Sequence, residues 1–185
     1  MPANGDACFM NVDVRNVSRD GKPVECSASA AEIGDLLPGI YITGTVDLSG
    51  TVYRTDDTVL VKGSVRAVYR AECSRCLVEF EQAVVVPVEN TFVVTDAKDD
   101  AEKALFSADN DVYVYDGFEI DIVPMVRHEL ILNAPVKPLC SVECKGLCPV
   151  CGIDRNRESC RCEEENIDPR LAVLKDILCE EPDQQ

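Results

Sequence analysis

The sequence predicts an α+β protein: mainly antiparallel β, as a barrel-like or strongly bent sheet, with a few helices and a cysteine-rich, metal-stapled C-terminal segment. Three observations predict it. Residues 40–94 alternate apolar and polar side chains with a period of two, the apolar positions near 121–132 suit a helix, and eight of the 11 cysteines fall in four close pairs. A chain of 185 residues allows one domain of about 150 residues with a small appendage. With 46% apolar and 28% charged residues it can bury a core. The expected division is a β-rich unit over 1–137 and a cysteine-rich, zinc-binding unit with a terminal helix over 138–185, packed together.

In chain order, the opening Met1-Pro2-Ala3-Asn4-Gly5-Asp6-Ala7-Cys8 carries neither a basic nor an apolar leader segment. No stretch reaches the roughly 20 apolar residues that span a bilayer. A cytoplasmic protein is expected. Phe9–Val14 and Val24–Ala28 are weaker strand candidates, and Ala31–Leu37 suits a short helix. Ile40, Ile42, Val46 and Leu48 share one side of an extended chain, as do Val65, Ala67, Tyr69 and Ala71. The short polar side chains of Thr55-Asp56-Asp57-Thr58 suit the turn between those strands. Phe80–Val94 forms a third run, and Pro87 places it at an edge or a bulge.

Residues 95–111 read as a solvated acidic loop without the spacing of a calcium-binding loop. After a strand at Val112–Tyr115, Asp121 is expected to cap a helix running to Leu132, with Val126, Leu130 and Ile131 among its apolar positions and Pro135 ending it. His128, the only histidine, reads as a surface residue rather than a general base. Asp168-Pro169 would open a final helix bearing Leu171, Leu174, Ile177 and Leu178 on one face.

The close pairs are Cys73/Cys76, Cys140/Cys144, Cys148/Cys151 and Cys160/Cys162. A tetrahedral zinc with Zn–S near 2.3 Å needs four sulfurs about 3.8 Å apart, and two cysteines in one tight turn supply half that shell. Cys148-Pro149-Val150-Cys151-Gly152 has the form of a zinc knuckle, and Cys160 and Cys162 project to the same side. The favoured partition puts these four on one ion and joins Cys73 and Cys76 to Cys140 and Cys144 on a second, a staple from strand to tail. Cys140/Cys144 with Cys148/Cys151 also satisfies the spacing. Disulfides suit a secreted chain, and thiol-disulfide catalysis wants a helix N-terminus. Cys144-x3-Cys148-x2-Cys151 matches radical-SAM spacing, but the chain lacks the repeated strand-helix units of that barrel. Cys8, Cys26 and Cys179 read as buried small apolar residues.

Charge limits the partners. The balance of 18 basic and 34 acidic residues is −16, with a pI near 4.4, which disfavours DNA and any nucleic-acid contact spread over the whole chain. Four thiolates per dication add −2 at each site, which Arg75, Lys145, Arg155, Arg157 and Arg161 are placed to offset. Those residues are also the candidate binding surface.

Ala71-Glu72-Cys73-Ser74-Arg75-Cys76-Leu77, Ile120-Asp121-Ile122, Glu129-Leu130-Ile131-Leu132, Pro138-Leu139-Cys140, Cys144-Lys145-Gly146-Leu147-Cys148-Pro149-Val150-Cys151-Gly152 and Asp168-Pro169-Arg170-Leu171-Ala172-Val173-Leu174, in that order, resemble the YceD-like proteins. The likeness spans about residues 40–178. Ile153-Asp154-Arg155-Asn156 departs from the family's asparagine-leucine-asparagine stretch, a departure that puts no cysteine in doubt. The resemblance implies a bacterial cytoplasmic protein needed for accumulation of large-subunit ribosomal RNA, and it carries over no catalytic residue. The expectation is a non-enzymatic ribosome-biogenesis factor with two structural zinc ions, meeting ribosome-assembly or ribosomal proteins, with direct ribosomal RNA contact at the cysteine segment as the less favoured route. The competing class is a metal-dependent or iron-sulfur enzyme acting on RNA or a redox partner, which would need an open metal position or clustered acids and bases.

Overall fold

A computed structural model describes residues 10–94, 106–107 and 112–162. The expected final helix, Cys8, Cys179 and most of the acidic loop lie outside these residues. Three long strands form the body: β3 (Ile40–Thr55), β4 (Thr58–Glu72) and β5 (Glu79–Val94). Each follows its neighbour through a tight connection, so antiparallel pairing is the short solution. Asp56, at φ 54°, makes the turn between paired Thr55 and Thr58. Short polar side chains tolerate that left-handed conformation best. β2 (Lys22–Ser29) adds antiparallel to β3.

The sheet order is β2-β3-β4-β5-β7-β6, with β6 (Phe106–Ser107) and β7 (Val112–Tyr115) beyond β5. The expectation of a barrel-like sheet is corrected here. β2 and β6 stand at opposite ends of an open sheet, and β7 runs parallel to β5 through Phe92–Val94. A period of two reports which side chains face inward, and it carries no information on whether the end strands meet. Before Phe92, β5 is paired with β4 alone among the described residues, so Pro87 sits on an edge where its missing N–H breaks no second ladder.

The inward alternation holds along each long strand. Val46, Leu48 and Val52 of β3, Val59, Val61 and Val65 of β4, and Val86, Val88 and Phe92 of β5 are buried. β3 carries two more residues than β4 between Thr43 and Asp47. An even insertion preserves parity, which is why Ile42 and Val46 both face the core. At Gly50 a Cβ would fall 2.4 Å from the Lys62 carbonyl oxygen, and at its partner Gly63 a Cβ would fall 2.4 Å from the Ser49 oxygen. Two glycines let the strand backbones approach there.

One face of the sheet is covered by α2 (Val123–Leu132), which buries Met125, Val126 and Leu130. β1 (Asn11–Asp13) and β8 (Glu119–Asp121) pair as a separate two-stranded sheet leading into that helix. The N-cap is Ile122, one residue beyond the expected Asp121, but the Asp121 carboxylate still accepts from the Val123 N–H at 2.9 Å. The helix expected over 31–37 is only α1 (Ala30–Ile33), held by a capping box between Ser29 and Glu32 and stopped at Gly34. His128 is half-buried, its Nδ1 3.0 Å from the Tyr113 hydroxyl.

Candidate metal centres

β4 and β5 end in a turn built around Cys73 and Cys76. The Leu77 N–H donates to the Cys73 carbonyl at 2.9 Å, and the Cys73 N–H donates to the Val78 carbonyl at 3.0 Å. The same wiring recurs further on. The Gly152 N–H donates to the Cys148 carbonyl and the Cys148 N–H to the Ile153 carbonyl, both at 2.9 Å. The chain therefore contains two copies of one knuckle, each offering two sulfurs from a turn whose backbone is already hydrogen-bonded.

Each knuckle meets a second cysteine pair. Cys73 Sγ lies 3.8 Å from Cys144 Sγ, and Cys76 Sγ lies 3.6 Å from Cys140 Sγ. Cys160 Sγ lies 3.3 Å from Cys148 Sγ and 3.6 Å from Cys151 Sγ, with Cys162 completing the group. Within each foursome all sulfurs lie within 4.8 Å of one another. Of the two partitions open in the sequence, the structure thus brings together Cys73, Cys76, Cys140 and Cys144, and separately Cys148, Cys151, Cys160 and Cys162. All described cysteines are free thiols. The spacing fits four thiolates around one ion, about 3.8 Å apart for zinc.

Electrostatics point the same way. Burial pushes the Cys73 thiol up, but the amide N–H groups of Cys140, Arg75 and Cys76 outweigh it and leave the group at about 6. The Cys151 amide, then that of Val150, brings Cys148 down to about 6. Cys140 is pushed up to about 12, first by its hydrogen bond with Cys76, and Cys162 to about 12, first by Cys160. Each foursome holds one ready thiolate beside a sulfur that keeps its proton because anionic sulfur is crowded around it. A dication removes that conflict, since its charge favours deprotonation of all four.

The first centre belongs to the sheet. Cys73, Cys76 and Cys144 are buried, with Val78, Leu139 and Leu147 packed against them. Phe80 also touches that group and meets Tyr69 edge-on, with ring centroids 6.3 Å apart, so it couples the sulfurs to the sheet core. The Ser74 N–H donates to the Pro138 carbonyl at 2.9 Å, drawing in the loop that brings Cys140. The second centre is more open, with Cys151 exposed.

The basic candidates divide. Arg75 Nη1 donates to the carbonyls of Cys144 at 2.8 Å and Val142 at 3.3 Å, so it straps the Cys140–Cys144 loop to the knuckle. Arg157 pairs with Asp154 at 3.6 Å. The Arg155 N–H donates to the Gly146 carbonyl at 3.0 Å. Lys145 and Arg161 are exposed. The side chain that reaches a sulfur is one the sequence reading did not select: Asn156 Nδ2 donates to Cys144 Sγ at 3.4 Å while its Oδ1 accepts from the Lys145 N–H at 2.8 Å. Asn156 lies between Cys151 and Cys160 in sequence, so it ties the second cysteine segment to the first centre. Its one sequence signal is the Asp154-x-Asn156 pair, a turn-former pattern too common to single out.

A family model described as "Large ribosomal RNA subunit accumulation protein YceD" matches residues 61–178. An uncharacterized protein of Mycobacterium tuberculosis is 32% identical over 155 residues, covering 84% of this chain and 72% of its own length. The uncharacterized protein YlbN of Bacillus subtilis is 33% identical over 107 residues, 57% of this chain and 58% of its own. An Arabidopsis thaliana protein named "Large ribosomal RNA subunit accumulation protein YCED homolog 1, chloroplastic" is 27% identical over 160 residues, 74% of this chain and 50% of its own. No solved structure matches.

Proposed function

The chain belongs to the YceD family, and from that premise we propose that it is a non-enzymatic, cytoplasmic ribosome-biogenesis factor. It supports accumulation or processing of large-subunit ribosomal RNA through contacts with ribosomal or assembly proteins. The family description and the Arabidopsis relative's name support the ribosomal link. The observation that carries the non-enzymatic reading is the pair of four-sulfur groups. Four thiolates complete a tetrahedral shell and leave no position for substrate or water, so the ions are structural. Cys73, Cys76, Cys140 and Cys144 would hold one zinc, and Cys148, Cys151, Cys160 and Cys162 the other; what zinc supplies is a cross-link between distant segments. Lys145, Arg155, Arg157 and Arg161 are offered as polar contacts for ribosomal RNA or protein at the same end.

Two measurements test this reading. Elemental analysis of the purified full chain is expected to find two zinc ions per molecule, falling to one in Cys151→Ser. Cells lacking the gene are expected to show reduced mature large-subunit ribosomal RNA. An unchanged metal content in Cys151→Ser would refute the ligand assignment, and normal ribosomal RNA in the deletion would refute the biogenesis role.

A further inference from the structure

The two knuckles share their hydrogen bonding and differ at the residue that follows the second cysteine. The second has Gly152 at φ 74°, where glycine is at ease, whereas the first has Leu77 at φ 60°. A left-handed leucine is disfavoured because its Cβ crowds the adjoining carbonyl oxygen, and a chain tolerates it where the side chain is needed. Among the described residues Leu77 is not needed for packing: it is 56% exposed, and the side chains packed on the first sulfur group are Val78, Phe80, Leu139 and Leu147. An apolar side chain is thus held outward at the tip of the longest hairpin in the fold.

The surroundings of that tip select a partner. Glu72 and Glu79 face each other directly at the end of the β4–β5 ladder, both exposed. Neither makes an ion pair among the described residues, and like charges directly opposite one another repel. Glu81 follows on the same face of β5. Arg70 stands directly opposite Glu81 on that face, and Arg75 is spent on the Val142 and Cys144 carbonyls, so Glu72 and Glu79 remain the outermost pair with three carboxylates to one guanidinium on the face. An ion held by four thiolates leaves a net −2 beside them. The carboxylates at the end of this ladder disfavour phosphate at the tip itself, and an aliphatic tip offers no ring on which a base can stack.

We propose that Leu77 is an anchor by which the chain docks into an apolar pocket on a basic protein, with Glu72 and Glu79 meeting that protein's cations. The proposal rests on the ribosome-biogenesis reading, which supplies the proteins to try: the basic proteins of a bacterial large ribosomal subunit. The loaded full chain is titrated by fluorescence anisotropy with these proteins, purified and taken one at a time, and with a fragment of large-subunit ribosomal RNA. At least one protein is expected to bind saturably, and Leu77→Gly to weaken it by about tenfold or more, the scale of an interface anchor. Leu77→Gly should keep both ions and melt no lower than the parent, because glycine suits that backbone. Glu72→Gln with Glu79→Gln should weaken binding and flatten its salt dependence.

Binding of none of these proteins, equal binding by Leu77→Gly, or a lower melting temperature in Leu77→Gly would overturn the assignment. So would an RNA fragment whose binding depends on Leu77. In cells deleted for the gene, Leu77→Gly is expected to fail to restore ribosomal RNA where the parent succeeds. Full restoration by Leu77→Gly ends the docking proposal and leaves the biogenesis role standing, whereas a deletion without a ribosomal RNA defect ends the biogenesis role itself.

Discussion

At the scale of single residues, the centres depend on small polar groups as much as on sulfur. The Asn156 side chain bonds Cys144 Sγ and the Lys145 N–H across the fold, and its Nδ2 also donates to Asp154 Oδ1. Asn156→Ala is expected to cost about 1 kcal/mol, the net worth of such bonds at a partly exposed site, read by urea unfolding of the metal-loaded protein. Both ions should remain, since every thiolate is still present. Asp13 offers a pH probe. The Arg15 side chain, bonded at 2.6 Å, and the Arg15 amide hold its carboxyl down to about 2. A carboxyl lowered on folding contributes stability above its unfolded value of about 4, and that contribution is lost as pH falls from there toward about 2. Carboxyl-detected NMR should follow this titration, and Asp13→Asn should remove it.

At the scale of elements, the hairpins are where backbone approach matters most. Gly50 and Gly63 face each other across β3 and β4, and a methyl group on either meets backbone, which cannot swing aside as a side chain does. Gly50→Ala is therefore expected to cost on the order of 3 kcal/mol, well above the ~1 kcal/mol typical of a random substitution, and to lower the melting temperature measured by circular dichroism. Most elements were legible in the sequence for a plain reason: alternation in β3, β4 and β5 reflects one buried face, and a side chain's face is set locally by its parity. β6, β7's parallel alignment with β5, and the pairing of β1 with β8 were not legible. A two-residue or three-residue strand carries no periodic signal, and its pairing is decided by whichever distant edge it meets.

At the scale of the whole molecule, the sheet core and the first sulfur group are separate apolar clusters joined through Phe80. Removing metal should consequently affect them unequally. Chelator treatment is expected to leave the far-ultraviolet strand signal largely intact, while trypsin cuts early after Lys145 and Arg155; simultaneous loss of the strand signal would show that the ions also hold the sheet. The cysteine types and spacings by themselves determined that two four-sulfur groups can form, because two cysteines in one tight turn always present their sulfurs together. The alternation likewise determined which side chains enter the core. Only the tertiary structure decided that Cys73 and Cys76 take Cys140 and Cys144 and that the sheet stays open. Those outcomes depend on bringing together segments more than 60 residues apart, as Cys76 and Cys140 are, and on whether the edge strands meet. Such approaches are governed by the packing of the whole chain, which no local spacing encodes.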